Sequence, residues 1–150
     1  MDLLIQQYLN KIEDIVKEPV YFYTKNTLLN IDMLAYYSKD PEGLLIELKT
    51  KSRECIARFS LTQMPSCCMI LIFHNSIVRS KYQNSGIGSI LFEFKIEIAK
   101  QLGYSTVMCT DIENNISQRK ILAKNDFIDI HSNINKRTGN KVFISIKDIN

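Results

Sequence analysis

The sequence predicts a mixed α/β (α+β) fold, a central sheet flanked by helices, in a single domain spanning all 150 residues. Three observations predict it. The apolar run Cys67 to Phe73, continuing through His74 to Ile77 and Val78, reads as a buried strand. After the short segment Gln83-Asn84-Ser85-Gly86-Ile87-Gly88-Ser89, apolar residues recur at Ile87, Ile90, Leu91, Phe94, Ile98 and Leu102. Gaps of three and four put them on one helical stripe, with Gly103 placed to end the helix. Third, Cys55, Ala57, Phe59 and Leu61 alternate with Arg58, Ser60 and Thr62, the pattern of a half-buried strand.

The remaining elements follow in order. Residues 3–17 read as a helix, with Leu4, Tyr8, Leu9, Ile12, Ile15 and Val16 on one side, Asp2 at its start and Pro19 past its end. Val20 to Tyr23 is β-prone. Residues 27–37 are ambiguous, and helix is favoured over strand. Asp40 to Gly43 is a turn, Leu44 to Leu48 a strand, and Gln63 to Ser66 a turn. Beyond the helix at 88–102, Thr106 to Cys109 is a second buried strand. Asn114 to Ser117 caps a helix running to about Lys124. Two last strands, Phe127 to Ile130 and Val142 to Ile146, flank a hairpin turn at Arg137 to Asn140.

Composition narrows the classes. A hydrophobic share of 45% and a charged share of 23% are those of an ordinary globular protein. A net charge of +3 suits an anionic cofactor but falls short of a dedicated nucleic-acid binder. No apolar run reaches the roughly 18 residues of a membrane span, and Met1 to Leu4 lacks a basic signal-peptide start. A cytoplasmic protein without membrane attachment is therefore expected. Cys55, Cys67, Cys68 and Cys109 show no Cys-x-x-Cys spacing, and Cys67 and Cys68 are expected on opposite faces of a strand. They read as small core hydrophobes, and no metal site is expected.

The loop at 83–89 is the most informative stretch. Between a strand and a helix, such a loop aims several backbone N–H groups at one point, and the helix dipole adds positive charge there. Glycine permits close approach and positive φ. It is no Walker A loop, because Ser89-Ile90 follows Gly88 where Lys-Ser/Thr is needed. Nor is it a dinucleotide fingerprint, whose third glycine would fall at Leu91. What remains, Gln83-x-x-Gly86-x-Gly88, resembles the acyl-CoA-binding motif of the GNAT acetyltransferase family: Arg or Gln, two residues, Gly, one residue, Gly or Ala. Further on, Asn115, Ile121-Leu122, Lys124 and Asp126-Phe127 fall at the spacing of that family's second motif. The resemblance covers roughly residues 44–146. It implies a mostly antiparallel sheet in which the strands before and after the glycine helix are parallel neighbours that splay apart.

The resemblance also implies a chemistry: acyl transfer from acetyl-CoA, as acyl donor, to an amine on a protein or a small molecule. The pyrophosphate would rest on the amides of Asn84, Ser85, Gly86, Ile87, Gly88 and Ser89, with Gln83 donating from its side chain. Amides near Ile77, Val78 and Arg79, freed by the splay, would hold the pantetheine and polarise the thioester carbonyl. Asn115 would bond the pantetheine from the other side, or cap its helix, or both. An amine must lose a proton before it attacks, and His74 is the candidate base; its alternative role is a hydrogen-bonded residue of the sheet. His131 looks less central.

Two positions depart from the family pattern. The usual acid, a tyrosine, is replaced by Leu122, which cannot donate a proton, so Ser117, Tyr82 or water would have to serve. Asp126 replaces a glycine, a mild change because Asp visits the left-handed region. Leu122 keeps open an alternative, an acyl-CoA-binding module without catalysis. A third reading is an adaptor or nucleic-acid-binding domain whose glycine loop is only a turn. A homodimer also stays open. The basic stretch Lys136-Arg137 through Lys141 reads as a solvated hairpin tip.

Overall fold

Period-two burial builds the sheet. Leu44, Ile46 and Leu48 are buried on one strand, and Ala57, Phe59 and Leu61 on the next. A computed structural model describes residues 20–24, 27–39 and 42–150. The helix expected over 3–17 lies outside them. The described strands are β1 (Val20–Thr24), β2 (Thr27–Lys39), β3 (Glu42–Thr50), β4 (Cys55–Gln63), β5 (Ile70–Val78), β6 (Thr106–Ile112), β7 (Ile128–Ile134) and β8 (Lys141–Asp148). The described helices are α1 (Ile87–Gln101) and α2 (Ile116–Lys124). The sheet order is β1-β2-β3-β4-β5-β6-β8-β7. Every neighbouring pair is antiparallel except β5 and β6.

Residues 27–37 form β2, not the expected helix. The reason is non-local. β2 pairs with β3 from Ile31↔Thr50 to Lys39↔Glu42, and this ladder buries Ile31 and Met33 on one face. Contacts to a partner strand override a weak local preference. The register Lys39↔Glu42 makes β2 and β3 a tight hairpin at the expected turn, whose residues 40 and 41 lie outside the described set.

The parallel pair splays as expected. β5 and β6 pair only from Ile70↔Thr106 to Phe73↔Cys109. Beyond that, β5 stays with β4 through Ala57↔Val78, while β6 stays with β8 through Ile112↔Val142. A register shift between Arg58 and Ser60 leaves Asn75 and Ser76 bulged, with Asn75 at φ +46°. The result is a crevice between diverging strands.

α1 lies against the sheet through Ile87, Leu91, Phe92, Lys95, Ile96, Ile98 and Ala99. Its stripe is rotated from the expected one, for Ile90, Phe94 and Leu102 are only partly buried. Phe92 anchors the core, edge-on to Phe73 at 5.9 Å and to Phe127 at 5.2 Å between centroids. Gly103 at φ +86° ends the helix. At the end of α2, Asp126 takes φ +58°, as a left-handed stand-in for glycine should. The cysteines correct an expectation. Cys67 and Cys68 precede β5 rather than lying in a strand, Cys68 is exposed, and only Cys109 is buried.

Candidate active site

Chain geometry delivers β5 into the loop and the loop into α1. After Val78, the N–H of Arg79 bonds the carbonyl of Ile56 at 2.9 Å, and a 3₁₀ turn spans Ser80–Tyr82. Lys81 and Tyr82 hold this turn to Glu54, the Tyr82 hydroxyl donating to the carboxylate at 2.8 Å. Gln83 then reaches back, its Nε2 donating to the Val78 carbonyl at 2.8 Å. Asn84 sits at φ +59° and Gly86, the N-cap of α1, at φ +89°.

The consequence is a row of free donors. The backbone N–H groups of Asn84, Ser85, Gly86, Ile87 and Gly88 have no acceptor among the described residues. No acidic residue lies in the first turn of α1. A Cβ built on Gly86 meets nothing within 4 Å, so the space before the loop is open. Five donors, a helix start and open approach fit a phosphate-bearing group. Ser89 is a correction: its N–H is taken by the Gly86 carbonyl at 3.2 Å. Arg79 is another, since its N–H belongs to Ile56. Alternation along an antiparallel strand turns the amide of Ile77 toward β4 with that of Arg79, and the amide of Val78 toward the crevice.

The splay forms a half-open cavity of about 300 Å³. β5 lines it from Phe73 to Ser76 and β6 from Cys109 to Ile112, with Lys95, Asn115 and Gln118 completing the wall. His74 is half-buried there and shares a hydrogen bond between Nε2 and Thr62 Oγ1. Burial pushes its pKa below the usual histidine value, keeping the ring neutral at pH 7. When Nε2 carries the proton and donates to Thr62, Nδ1 is left to accept one. Asn115 does two things at once. Its Oδ1 caps α2 by accepting from the Gln118 N–H at 3.2 Å, while its Nδ2 has no acceptor among the described residues and can donate beside the cavity. His131 stands on the outer strand β7 and lines no part of this space.

The substitutes for the absent tyrosine fare unevenly. Leu122 is 3% exposed and belongs to the core. Neither Tyr82 nor Ser117 lines the cavity. Burial and the Glu54 carboxylate raise the pKa of Tyr82, so the phenol keeps its proton and donates it in the hydrogen bond to Glu54.

Two cavity groups escaped the sequence reading. Asp111 is 6% exposed and held by Arg119 at 3.3 Å, and Arg119 in turn grips Asp129 at 2.8 Å. Its signal was available: Val107, Cys109 and Asp111 alternate on one buried face. Lys95 is 2% exposed, its Nζ donating to Ser76 Oγ at 2.5 Å and facing the rings of Phe59, Phe73 and Phe92 at 5.1–5.5 Å. Four residues after Leu91 and three before Ile98, it occupies a core position of α1. Desolvation lowers its pKa to about 8. Among the described residues no carboxylate pairs with it.

A glycine loop with free amides at a helix start, following the first of two splayed parallel strands, is the arrangement expected of an acyl-CoA-type transferase fold. The sequence matches the Acetyltransferase (GNAT) family over residues 9–127, and the chain belongs to that family. Solved structures agree in fold. A GNAT-family acetyltransferase from Streptococcus pneumoniae superposes with a TM-score of 0.62 at 19% identity, over 72% of this chain and 67% of that one. The yncA protein of Salmonella typhimurium, solved with its cofactor acetyl-CoA, gives 0.61 at 10% identity over 72% and 65%. The ribosomal-protein-S18-alanine N-acetyltransferase of Escherichia coli gives 0.61 at 16% identity over 71% and 69%. No curated protein sequence matches this chain. No helix among the described residues is long and apolar enough to cross a membrane, and no group of three His, Cys, Asp or Glu side chains among them could hold a metal.

Proposed function

We propose that the whole chain is one cytoplasmic N-acetyltransferase domain that moves an acetyl group from acetyl-CoA to an amine by direct attack. The single observation that carries this reading is the row of five N–H groups at Asn84–Gly88 that have no acceptor among the described residues, at the helix start that follows the splayed strand β5. The loop amides and the spare Gln83 N–H would hold the pyrophosphate. Val78 and Asn115 would hold the pantetheine, and the Val78 N–H would polarise the thioester carbonyl. His74, neutral at pH 7, would take the amine's proton. A thiolate whose acid has a pKa near 8.5 is a tolerable leaving group, so turnover does not require the tyrosine that Leu122 replaces.

The acceptor is an amine on a small molecule or a protein. One observation favours a second reading, acyl-CoA binding without catalysis: no tyrosine among the described residues lines the cavity. Release of free CoA thiol in the presence of a panel of polyamines, amino-terminal peptides and lysine peptides separates the two. Thiol release that depends on an amine supports transfer. Acetyl-CoA binding without release by any amine supports the binding module.

A further inference from the structure

Lys95 is a cavity group that the proposed reaction leaves unused. A buried lysine on the core face of a helix costs stability, because its charged form is desolvated. Its surroundings are specific. Nζ is held by Ser76 Oγ on the bulged part of β5, and both residues line the cavity. Three phenylalanine rings surround it, and no described carboxylate neutralises it. We infer that Lys95 is an internal acceptor, self-acetylated by acetyl-CoA bound in the β5–β6 crevice.

The inference rests on the proposed function, because the same crevice must hold the thioester. Two residues beyond Ser76, strand alternation turns the Val78 N–H to the β6 side, so Ser76, which holds the amine, and the amide proposed for the thioester carbonyl lie on one stretch of β5. Chemistry follows from the amine's state. Desolvation brings Lys95 to a pKa of about 8, so a sizeable fraction is the neutral nucleophile near neutral pH. Nζ attacks the thioester carbon, a C–N bond forms, and the C–S bond breaks with its electron pair leaving on sulfur. The proton shed by nitrogen ends on the thiolate, giving free CoA and N-acetyllysine. The titratable groups facing the cavity besides Lys95 are His74 on β5 and Cys109 and Asp111 on β6. An acetyl group on Lys95 would be neutral, which removes the cost of the buried charge and makes the modification persistent.

The test needs no acceptor substrate. The purified chain is incubated with acetyl-CoA, and acetylated lysines are mapped by mass spectrometry over time. Lys95 is expected to gain acetyl at least about tenfold faster than the exposed Lys51, Lys120 and Lys136, because a bound donor acts at high effective concentration. Acetyl phosphate, which lacks the CoA moiety, is expected to mark the exposed lysines and spare Lys95. Lys95→Arg should lose this one site, and Gly86→Asp should lose it while keeping the lysine. Should Lys95→Arg fail to fold, mapping of the unaltered chain still decides. An unmodified Lys95 in a chain whose melting temperature rises with acetyl-CoA overturns self-acetylation and leaves the proposed function standing. Equal labelling of Lys95 by acetyl phosphate overturns it too. Absence of any acetyl-CoA-induced rise overturns both.

Discussion

The Gln83 side chain donates to the carbonyl of Val78 at 2.8 Å, tying the phosphate-type loop to the last residue of β5. Together with the 3₁₀ turn and its Glu54 contacts, this bond sets the loop's distance from the end of β5. Gln83→Ala should cost about 0.5–1.5 kcal/mol of stability. It should also weaken acetyl-CoA binding by about tenfold, since one charge-assisted bond and the loop's registration are lost together. Isothermal titration and denaturant melts check both. Unchanged affinity would mean that the tie has no part in binding.

Lys95→Met should stabilise the fold. Lowering the lysine's pKa from 10.5 to about 8 corresponds to on the order of 3 kcal/mol of disfavoured charge, and Met fills a similar volume among the rings. The sign can be read from pH. Between about 8 and 10.5 the unfolded chain binds the proton more tightly than the native one. Native stability therefore rises with pH across that window and is lost below it. Denaturant melts at pH 8 and 10 should show the rise in the natural sequence and not in Lys95→Met.

His74 is lowered by burial, so the folded chain prefers its neutral form. Its contribution to stability is present above the unfolded value near 6.5 and is lost as pH falls below that, through the folded pKa. His74→Gln should flatten this part of the pH–stability curve. If His74 is the base, kcat/KM for an amine acceptor should reach its plateau at or below neutral pH, and His74→Ala should lose about 10²–10⁴-fold. A stable His74→Ala chain with normal turnover assigns His74 to the sheet alone.

Leu122→Tyr does not restore an acid. Because Leu122 is 3% exposed within the core, a phenol there overpacks and should destabilise by about 1–3 kcal/mol, visible as a lower melting temperature. The family resemblance implies a tyrosine acid at this position, whereas Leu122 belongs to the core.

The local geometry around the loop was legible because its signals are local. The glycine spacing fixed the loop between strand and helix, and Asn115 announced its cap. β2 was not legible, because Leu28-Leu29 and Met33-Leu34-Ala35 blur a period of two, and the ladder to β3 decides the matter. Lys95 was missed because a charged residue within an apolar stripe reads as solvated, whereas α1 turns it inward with Phe92 and Ile96. The amides of Arg79 and Ser89 were misjudged for a different reason. Their partners, Ile56 and Gly86, follow from strand register and the first helical turn, neither of which sequence spacing resolves.

The central claim is that the loop at Gln83–Ser89 binds acetyl-CoA, and thermal melting with Gly86→Asp tests it most directly. A Cβ at Gly86 meets nothing within 4 Å, so the carboxylate projects into the open space before the donors at the cost of some backbone strain. At about a hundred times its Kd, acetyl-CoA should stabilise the natural sequence by about 2.7 kcal/mol, a rise of roughly 5–10 °C. The account predicts no rise for a Gly86→Asp chain with unchanged circular dichroism. An equal rise in both proteins would contradict it.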